Sequence, residues 1–474
     1  MKLKNLSIEH LWVITILGIC FTYVSSMPID QYDFWHYIKT GMITFHTHKI
    51  VDKEIFTFSA QNTPYINLHW ASQIYYFLLY KLGGIQLLAF SHAVIITVVF
   101  TFVFILAFQY SSNLRIASLT TLISLALSVT NFALRPQEFS MLFFSLVFYC
   151  LRANKFAYIP LLFVLWANFH GAFIVGLLLL VVELLINFKP RYFIVLLFSL
   201  LATLLTPWGL KIYQTILNVE SENFANLVSE WYPPTIHEPA GLVFFCALLG
   251  LFALKNIEKS ALTKEEILMI LPFTFLALHS QRAIVWWAIV TVPIFATCLK
   301  NLSFDKIVDK KNISTSSTNN WLVNLIFVLL FFCYIVGCLP WFKTNNPLVP
   351  KAKRDLIASN TPVELTDELV KCSTCQKVFN NFAWGSYFMW ALHDNQKIFL
   401  SPWLSVFPKN ILSDYLAVSR GDALWGELLD KYKVDTLAIS KEEQKLLLPL
   451  VEKSKLWKKV FENHEGVIFT RNEI

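Results

Sequence analysis

Charge is scarce in this 474-residue chain: Asp, Glu, Lys and Arg together make up 15% of it, where soluble globular proteins carry about a quarter. With 56% hydrophobic residues and a mean hydropathy of +0.53, the chain is expected to be a polytopic membrane protein rather than a soluble globule. No block of lysine and arginine interleaved with aromatics occurs, which argues against nucleic acid as a partner; the net charge is only +7. Glycine is sparse too, and Gly83-Gly84 with the scattered remainder builds no phosphate-binding loop. Kinase, nucleotide and redox motifs are absent, as are internal repeats. Cysteine offers one CxxC, Cys372 and Cys375, without the second pair that zinc would call for. In an oxidising compartment a local disulfide is its expected state. Cys20, Cys150, Cys246, Cys298, Cys333 and Cys338 sit in or beside apolar runs, where packing is the default.

What the chain has in abundance is apolar runs. They lie near 9–25, 85–109, 115–131, 137–151, 156–168, 172–188, 193–206, 240–254, 265–280, 283–299 and 320–342, about eleven, several of them shorter than the roughly 20 residues a bilayer core asks for. The count is therefore open between about ten and thirteen, and 156–188 could be one broken helix. The first run has a basic start and no small-residue cleavage site, and reads as a retained span. Short loops rich in lysine and arginine stay cytoplasmic. With Lys2 and Lys4 inside, alternation puts Arg115, Arg152, Lys155, Lys189, Arg191, Lys255, Lys259, Lys264, Lys300, Lys306, Lys310 and Lys311 inside as well. The opposite face receives residues 26–84, the turn Arg135-Pro136-Gln137, the break Asn168-Phe169-His170-Gly171, the loop 207–239 and His279-Ser280-Gln281-Arg282. An odd number of spans sends the C-terminal segment to that face too.

That segment, 343–474, differs in kind. Its charge density rises, and short β-like runs (397–400, 434–439, 466–469) alternate with helix-like ones such as 441–455. The expected fold is mainly α: a transmembrane helical bundle over 1–342, with a first outer loop at 26–84, followed by a small soluble α/β domain. The proline-bearing stretch Asn345-Asn346-Pro347-Leu348-Val349-Pro350 marks the boundary, and Ser314 to Asn320 is a polar linker.

The first outer loop, about 60 residues, is longer than a connector needs to be. It carries Asp30, Asp33, His36, His46, His48, Asp52, Glu54 and His69 among aromatic faces suited to a membrane interface. A carboxylate held against such a surface loses hydration and gains proton affinity, which is how a general acid or base is tuned. The plain alternative is anchoring, since interfacial loops are rich in tryptophan, tyrosine and histidine for that reason alone.

Several of these stretches also occur, in order, in bacterial GT-C-fold membrane glycosyltransferases. Asp33-Phe34-Trp35-His36, then Gly41, Val51-Asp52 with Phe58-Ser59, and His69-Trp70-Ala71-Ser72 resemble that group's first outer loop. Arg135-Pro136-Gln137, Trp166 to Gly171, Pro207-Trp208-Gly209, Glu230-Trp231, Ser280-Gln281-Arg282, Phe379-Asn380 and Trp384-Gly385-Ser386-Tyr387 follow over nearly the whole chain. The resemblance implies a polyprenyl-phosphate sugar donor and transfer at the outer face of a bacterial cytoplasmic membrane. Enzymes of this kind, similar to protein mannosyltransferases and aminoarabinose transferases, pass a hexosyl or pentosyl group to a glycan, lipid or protein. It makes Asp33 the general base and Asp52 a second acid, in a displacement expected to invert. His36, His69, Arg135, Gln137, Asn168, His170, Glu230 and Arg282 are the substrate-binding candidates, the two arginines matched to phosphate.

No cofactor is certain, and a divalent metal stays open: His36, His69, Asp33 and Asp52 could ligate, though their spacing is not diagnostic. For Asn168 and His170 the alternative is helix capping at a break; for Glu230 it is a solvated surface acid. The chain departs from the group's pattern in its shorter aromatic cluster at Trp35-His36, in Val51 where a proline region is usual, and in Ser401-Pro402-Trp403 where an acid and an arginine stand. A transporter or lipid flippase is the alternative reading, but it usually shows paired repeats and mid-membrane charges.

Overall fold

A computed structural model describes residues 6–30, 32–221, 229–302 and 321–472. Lys2, Lys4, Lys306, Lys310, Lys311 and the linker 314–320 lie outside the described residues. The described residues form two compact units, one within Met1–Met27, Ile85–Ile216 and Asn223–Leu356, the other within Pro28–Gly84, Leu217–Glu222 and Ile357–Ile474. Whereas the sequence was cut at 342/343, the first outer loop thus packs as part of the C-terminal α/β unit.

Each of the apolar runs is largely helical. Ile8–Ser26, Trp70–Ser111, Leu114–Asn131 and Pro239–Ile257 are long and apolar enough to cross a membrane, making this a multi-pass membrane protein. A fifth crossing arises if Gln281–Val290 and Val292–Asn301, bent by 49° where Pro293 opens the second helix, count as one span. Phe156–Phe169, Phe173–Asn187, Pro190–Thr203 and Trp321–Gly337 are apolar but shorter, so helix length does not establish eleven crossings. The run 156–188 breaks at His170-Gly171 into two of these helices.

Side chains close the starts of two helices in this first unit. Asn113 accepts from the backbone N–H of Arg115 and Ile116, and Thr263 with Glu266 makes a reciprocal capping box. Buried charges meet partners: Glu183 pairs with Arg152, and the buried Lys343 ammonium donates to the carbonyls of Ser26 (3.3 Å) and Met27 (3.2 Å) at the C-terminal end of helix Ile8–Ser26. Rings fill the space between helices, Phe144 lying against Trp166, Phe273 and Trp286. Gly83-Gly84 interrupts helix Trp70–Ser111 at the division between the units; Gly84, at φ 64° and ψ −160°, holds a conformation open essentially to glycine alone.

In the second unit a five-stranded sheet runs in the order β2-β1-β3-β5-β4, with β1 Lys377–Asn380, β2 Lys397–Ile398, β3 Thr436–Ser440, β4 Trp457–Glu462 and β5 Gly466–Arg471. β1 pairs in parallel with both β2 and β3, helices making the crossovers, while β5 is antiparallel to β3 and β4. The first outer loop extends this sheet: Thr57 bridges Ile398 in parallel, with Ile398 N–H bonded to Phe56 O and Phe58 N–H to Ile398 O, both at 3.1 Å. β2, β3 and β5 fall in the β-like runs read from sequence, but β1 and β4 do not. β1 is four residues long, and β4 is an edge strand with only Trp457 buried, so neither shows a clear pattern. The stretch 441–455 is a turn leading to the short helix Leu448–Lys453.

Helix Phe34–Thr47 crosses the start of helix Trp70–Ser111 with Gly41 against the backbone of Gln73, so a Cβ at residue 41 would overlap the Gln73 carbonyl. Gly41→Ala is therefore expected to destabilise this unit by about 1–3 kcal/mol, read as a lower thermal-unfolding midpoint of the detergent-purified protein. An unchanged midpoint would show that the two helices separate at no cost.

Candidate functional site

In the membrane unit, the turn between Asn131 and helix Gln137–Arg152 carries Arg135, and Pro136, which needs no hydrogen-bond acceptor, begins the helix. Arg135 is 8% exposed and grips Glu230 with both terminal nitrogens at 2.8 Å, one to each carboxylate oxygen. Glu230 stands in the turn Ser229–Trp231. A second guanidinium approaches the same carboxylate: Arg282 Nε lies 3.6 Å from it, while its terminal nitrogen donates to Gln137 Oε1 at 3.0 Å. Gln137 in turn donates to Asn131 Oδ1 at 2.5 Å. The Trp231 ring lies 5.1 Å from the Arg282 guanidinium. Ser280 Oγ, donating to Glu230 O (3.1 Å), and Gln281 N–H, donating to Tyr232 O (3.0 Å), stitch the turn that bears Arg282 to the one that bears Glu230.

Four residues singled out in sequence, Arg135, Gln137, Glu230 and Arg282, are thus one cluster, with two cations sharing one anion. Glu230, with its side chain 34% exposed, is an ion-pair partner in this cluster rather than a solvated surface acid. Asn168 and His170 belong to a second group. Asn168 donates to Val164 O at 2.8 Å and Leu205 O at 2.9 Å, and His170 Nδ1 meets Ser140 Oγ at 2.6 Å, a hydroxyl that also accepts from Trp166 Nε1 at 2.7 Å. One brace was not foreseen. Buried His92 binds Phe132 O through Nε2 at 2.9 Å and the buried Glu138 carboxylate through Nδ1, fastening both ends of the segment that bears Arg135. A lone histidine in the run 85–109 was its sole trace in sequence.

The α/β unit contains the acids. Asp33 is half-buried just before helix Phe34–Thr47, whose N-terminal end favours negative charge. Asp52 is exposed, its carbonyl accepting from Tyr65 N–H at 2.9 Å. His36 is only 1% exposed. Its Nε2 accepts from Trp403 Nε1 at 2.9 Å, which leaves Nδ1 to donate to Ser386 Oγ at 3.3 Å, and its backbone N–H donates to the same oxygen at 3.1 Å. Burial, and next the neighbouring His69, push the imidazole well below its ordinary value, so it is a neutral fixture of the packing. Half-buried His69 lies 5.6 Å from the Tyr37 ring and its backbone N–H donates to Asn67 Oδ1 at 3.2 Å.

Sequence reasoning gave no separate weight to Glu54, which is fully buried. Its carboxylate accepts from Phe56 N–H (2.6 Å), Thr57 N–H (3.0 Å) and Ser401 Oγ (3.1 Å), and burial raises its proton affinity despite those bonds and nearby Lys397. Cys372 and Cys375 form a disulfide. Among the described residues no three His, Cys, Asp or Glu side chains converge, so none of them builds a metal cage.

Solved structures superimpose on nearly the whole chain and show that it has the GT-C fold. The apo oligosaccharyltransferase of Archaeoglobus fulgidus matches 98% of this chain and 74% of its own at a TM-score of 0.57 and 13% identity. The same organism's AglB, solved with an inhibitory peptide and a dolichol-phosphate, matches at 0.54 and 11% over 98% and 74%. ArnT from Cupriavidus metallidurans in the apo state covers 97% of both chains at 0.52 and 13%, and at 0.50 and 12% over the same 97% when bound to undecaprenyl phosphate. No family model and no curated protein matches the sequence.

Protonation of the unfolded chain fixes a pH dependence. His36 stays neutral in the folded protein but titrates near 6.5 when unfolded, so stability falls as pH drops below 6.5, by up to about 1.4 kcal/mol per pH unit. Glu54 acts in the opposite sense, its contribution being lost as pH rises above 4.5 towards its raised native value. Unfolding midpoints measured against pH should show the acid-side loss in wild type and a flatter curve in His36→Gln. Parallel curves would mean that His36 takes up its proton freely in the folded state.

Proposed function

We propose that this protein is a membrane glycosyltransferase that moves a sugar from a polyprenyl-phosphate donor to an acceptor. The observation that carries the reading is the Arg135–Gln137–Arg282 cluster around a single carboxylate, in a chain whose fold is shared by a protein solved with undecaprenyl phosphate. Two guanidinia match phosphate oxygens. The same unit has an apolar cavity of about 520 Å³ lined by residues such as Leu127, Val243, Gly250, Leu254 and Phe295, which suits an isoprenoid tail.

In this reading Asp33 is the general base. It takes the proton of an acceptor hydroxyl as that oxygen attacks the anomeric carbon. The bond from that carbon to the phosphate oxygen breaks, its electron pair staying with the phosphate, and Arg135 and Arg282 stabilise the departing polyprenyl phosphate. The attack inverts the anomeric centre. Asp52 is the second acid, His69, Asn168 and His170 are assigned to substrate binding, and His36 acts as a positioning residue for the helix that follows Asp33. The transferred group is a hexose or pentose and the acceptor a glycan, lipid or protein. The location is a bacterial cytoplasmic membrane, with the C-terminal domain outside.

Purified protein incubated with radiolabelled polyprenyl-phosphate sugars tests this. Asp33→Asn should cost about 10²–10⁴-fold in rate and Arg282→Gln about tenfold or more. Full turnover by Asp33→Asn removes that residue from the mechanism. Lipid-dependent movement across vesicles, without any sugar transfer, would support a flippase instead.

A further inference from the structure

Glu230 occupies the place that an anionic ligand would take. Its Oε1 accepts a hydrogen bond from one terminal nitrogen of Arg135 at 2.8 Å, and its Oε2 lies 2.8 Å from the other as an ion-pair contact without a hydrogen bond, so the guanidinium is engaged by a carboxylate that only half fills its fork. Arg282 stands 3.6 Å from one of those oxygens. Two guanidinia thus share the Glu230 carboxylate, with Gln137 as a neutral partner of Arg282. Such a pair of guanidinia, one of them 8% exposed, would be costly to hold side by side without an anion. The Glu230 side chain is about one-third exposed, although its Oε2 is buried, and it is carried on a three-residue turn rather than inside a long helix.

We propose that the Glu230 carboxylate is a built-in surrogate for the donor phosphate: it neutralises Arg135 and Arg282 while the site is empty, and the phosphate displaces it on binding. This rests on the reading of the two arginines as phosphate ligands. Glu230 then sets the affinity threshold of the phosphate site. An anion must out-compete a tethered carboxylate to bind, and the returning carboxylate helps to expel the phosphate after transfer. Occupation by Glu230 lowers apparent affinity by the fraction of time the arginines are engaged.

The test titrates a short-chain polyprenyl phosphate, without sugar, into the full-length protein in detergent, and follows tryptophan fluorescence, to which Trp231 beside Arg282 contributes. Wild type, Glu230→Gln, Glu230→Asp, Arg135→Gln and Arg282→Gln are compared, with the thermal midpoint of each establishing that it is folded. Glu230→Gln should bind about tenfold more tightly, Glu230→Asp about as wild type, and Arg135→Gln more weakly. In turnover, Glu230→Gln should show a lower KM together with a lower kcat, because product is held. Weaker or unchanged binding by folded Glu230→Gln, with Arg135→Gln still weakened, overturns the proposal and leaves the phosphate site standing. Binding that neither Arg135→Gln nor Arg282→Gln weakens removes the phosphate site itself, and this proposal with it.

Discussion

A charged or hydrogen-bonding group surrounded by apolar side chains has to find a partner, and this requirement shapes the protein more than any other. The membrane unit has few such groups, and those it has are gathered: Arg135 with Glu230 and Arg282, Arg152 with Glu183, His92 with Glu138. Each pair spans different helices or turns, so the same contacts that satisfy charge also set which segments lie side by side. The cluster at Arg135 belongs to this network, but in it two cations share the Glu230 carboxylate, whose side chain stays partly exposed.

The α/β unit obeys the same rule with a different outcome. Most of its motif residues are architecture. Asn380, buried, accepts from the backbone N–H of Phe399 and Leu400 and donates to Leu400 O, and a Cβ at Gly385 would crowd that carbonyl. Ser386 anchors His36, and Trp403, in the stretch where an acid and an arginine were expected, supplies its N–H to the same imidazole. The acid and imidazole in Asp33-Phe34-Trp35-His36 thus part company: the ring is locked inside, while Asp33 stays half-buried where the helix begins.

The membrane helices were legible because each is written in a contiguous apolar run, and the gathering of Arg135, Gln137, Glu230 and Arg282 was foreshadowed by their common side in the charge pattern of the loops. The short strands β1 and β4, the bridge from Thr57 to Ile398 and the clamp of Glu54 on Ser401 were not, since they join residues far apart in sequence whose local patterns are weak. For the same reason His36 looked like a binding residue: a histidine among aromatic rings reads alike whether it faces a cavity or is packed between a serine and a tryptophan hundreds of residues away.

Composition and periodicity alone determined that this chain is a multi-pass membrane protein with a small α/β part, because burial in lipid or in a sheet is a property of runs and alternations that one segment carries by itself. Which polar residues meet was decided only by the tertiary structure. Pairing depends on the placement of side chains from separate segments to within a few ångströms, and no single stretch of sequence contains that information. Hence the two arginines share Glu230, His92 braces their turn, and the first outer loop becomes an added edge of a sheet formed more than 300 residues later.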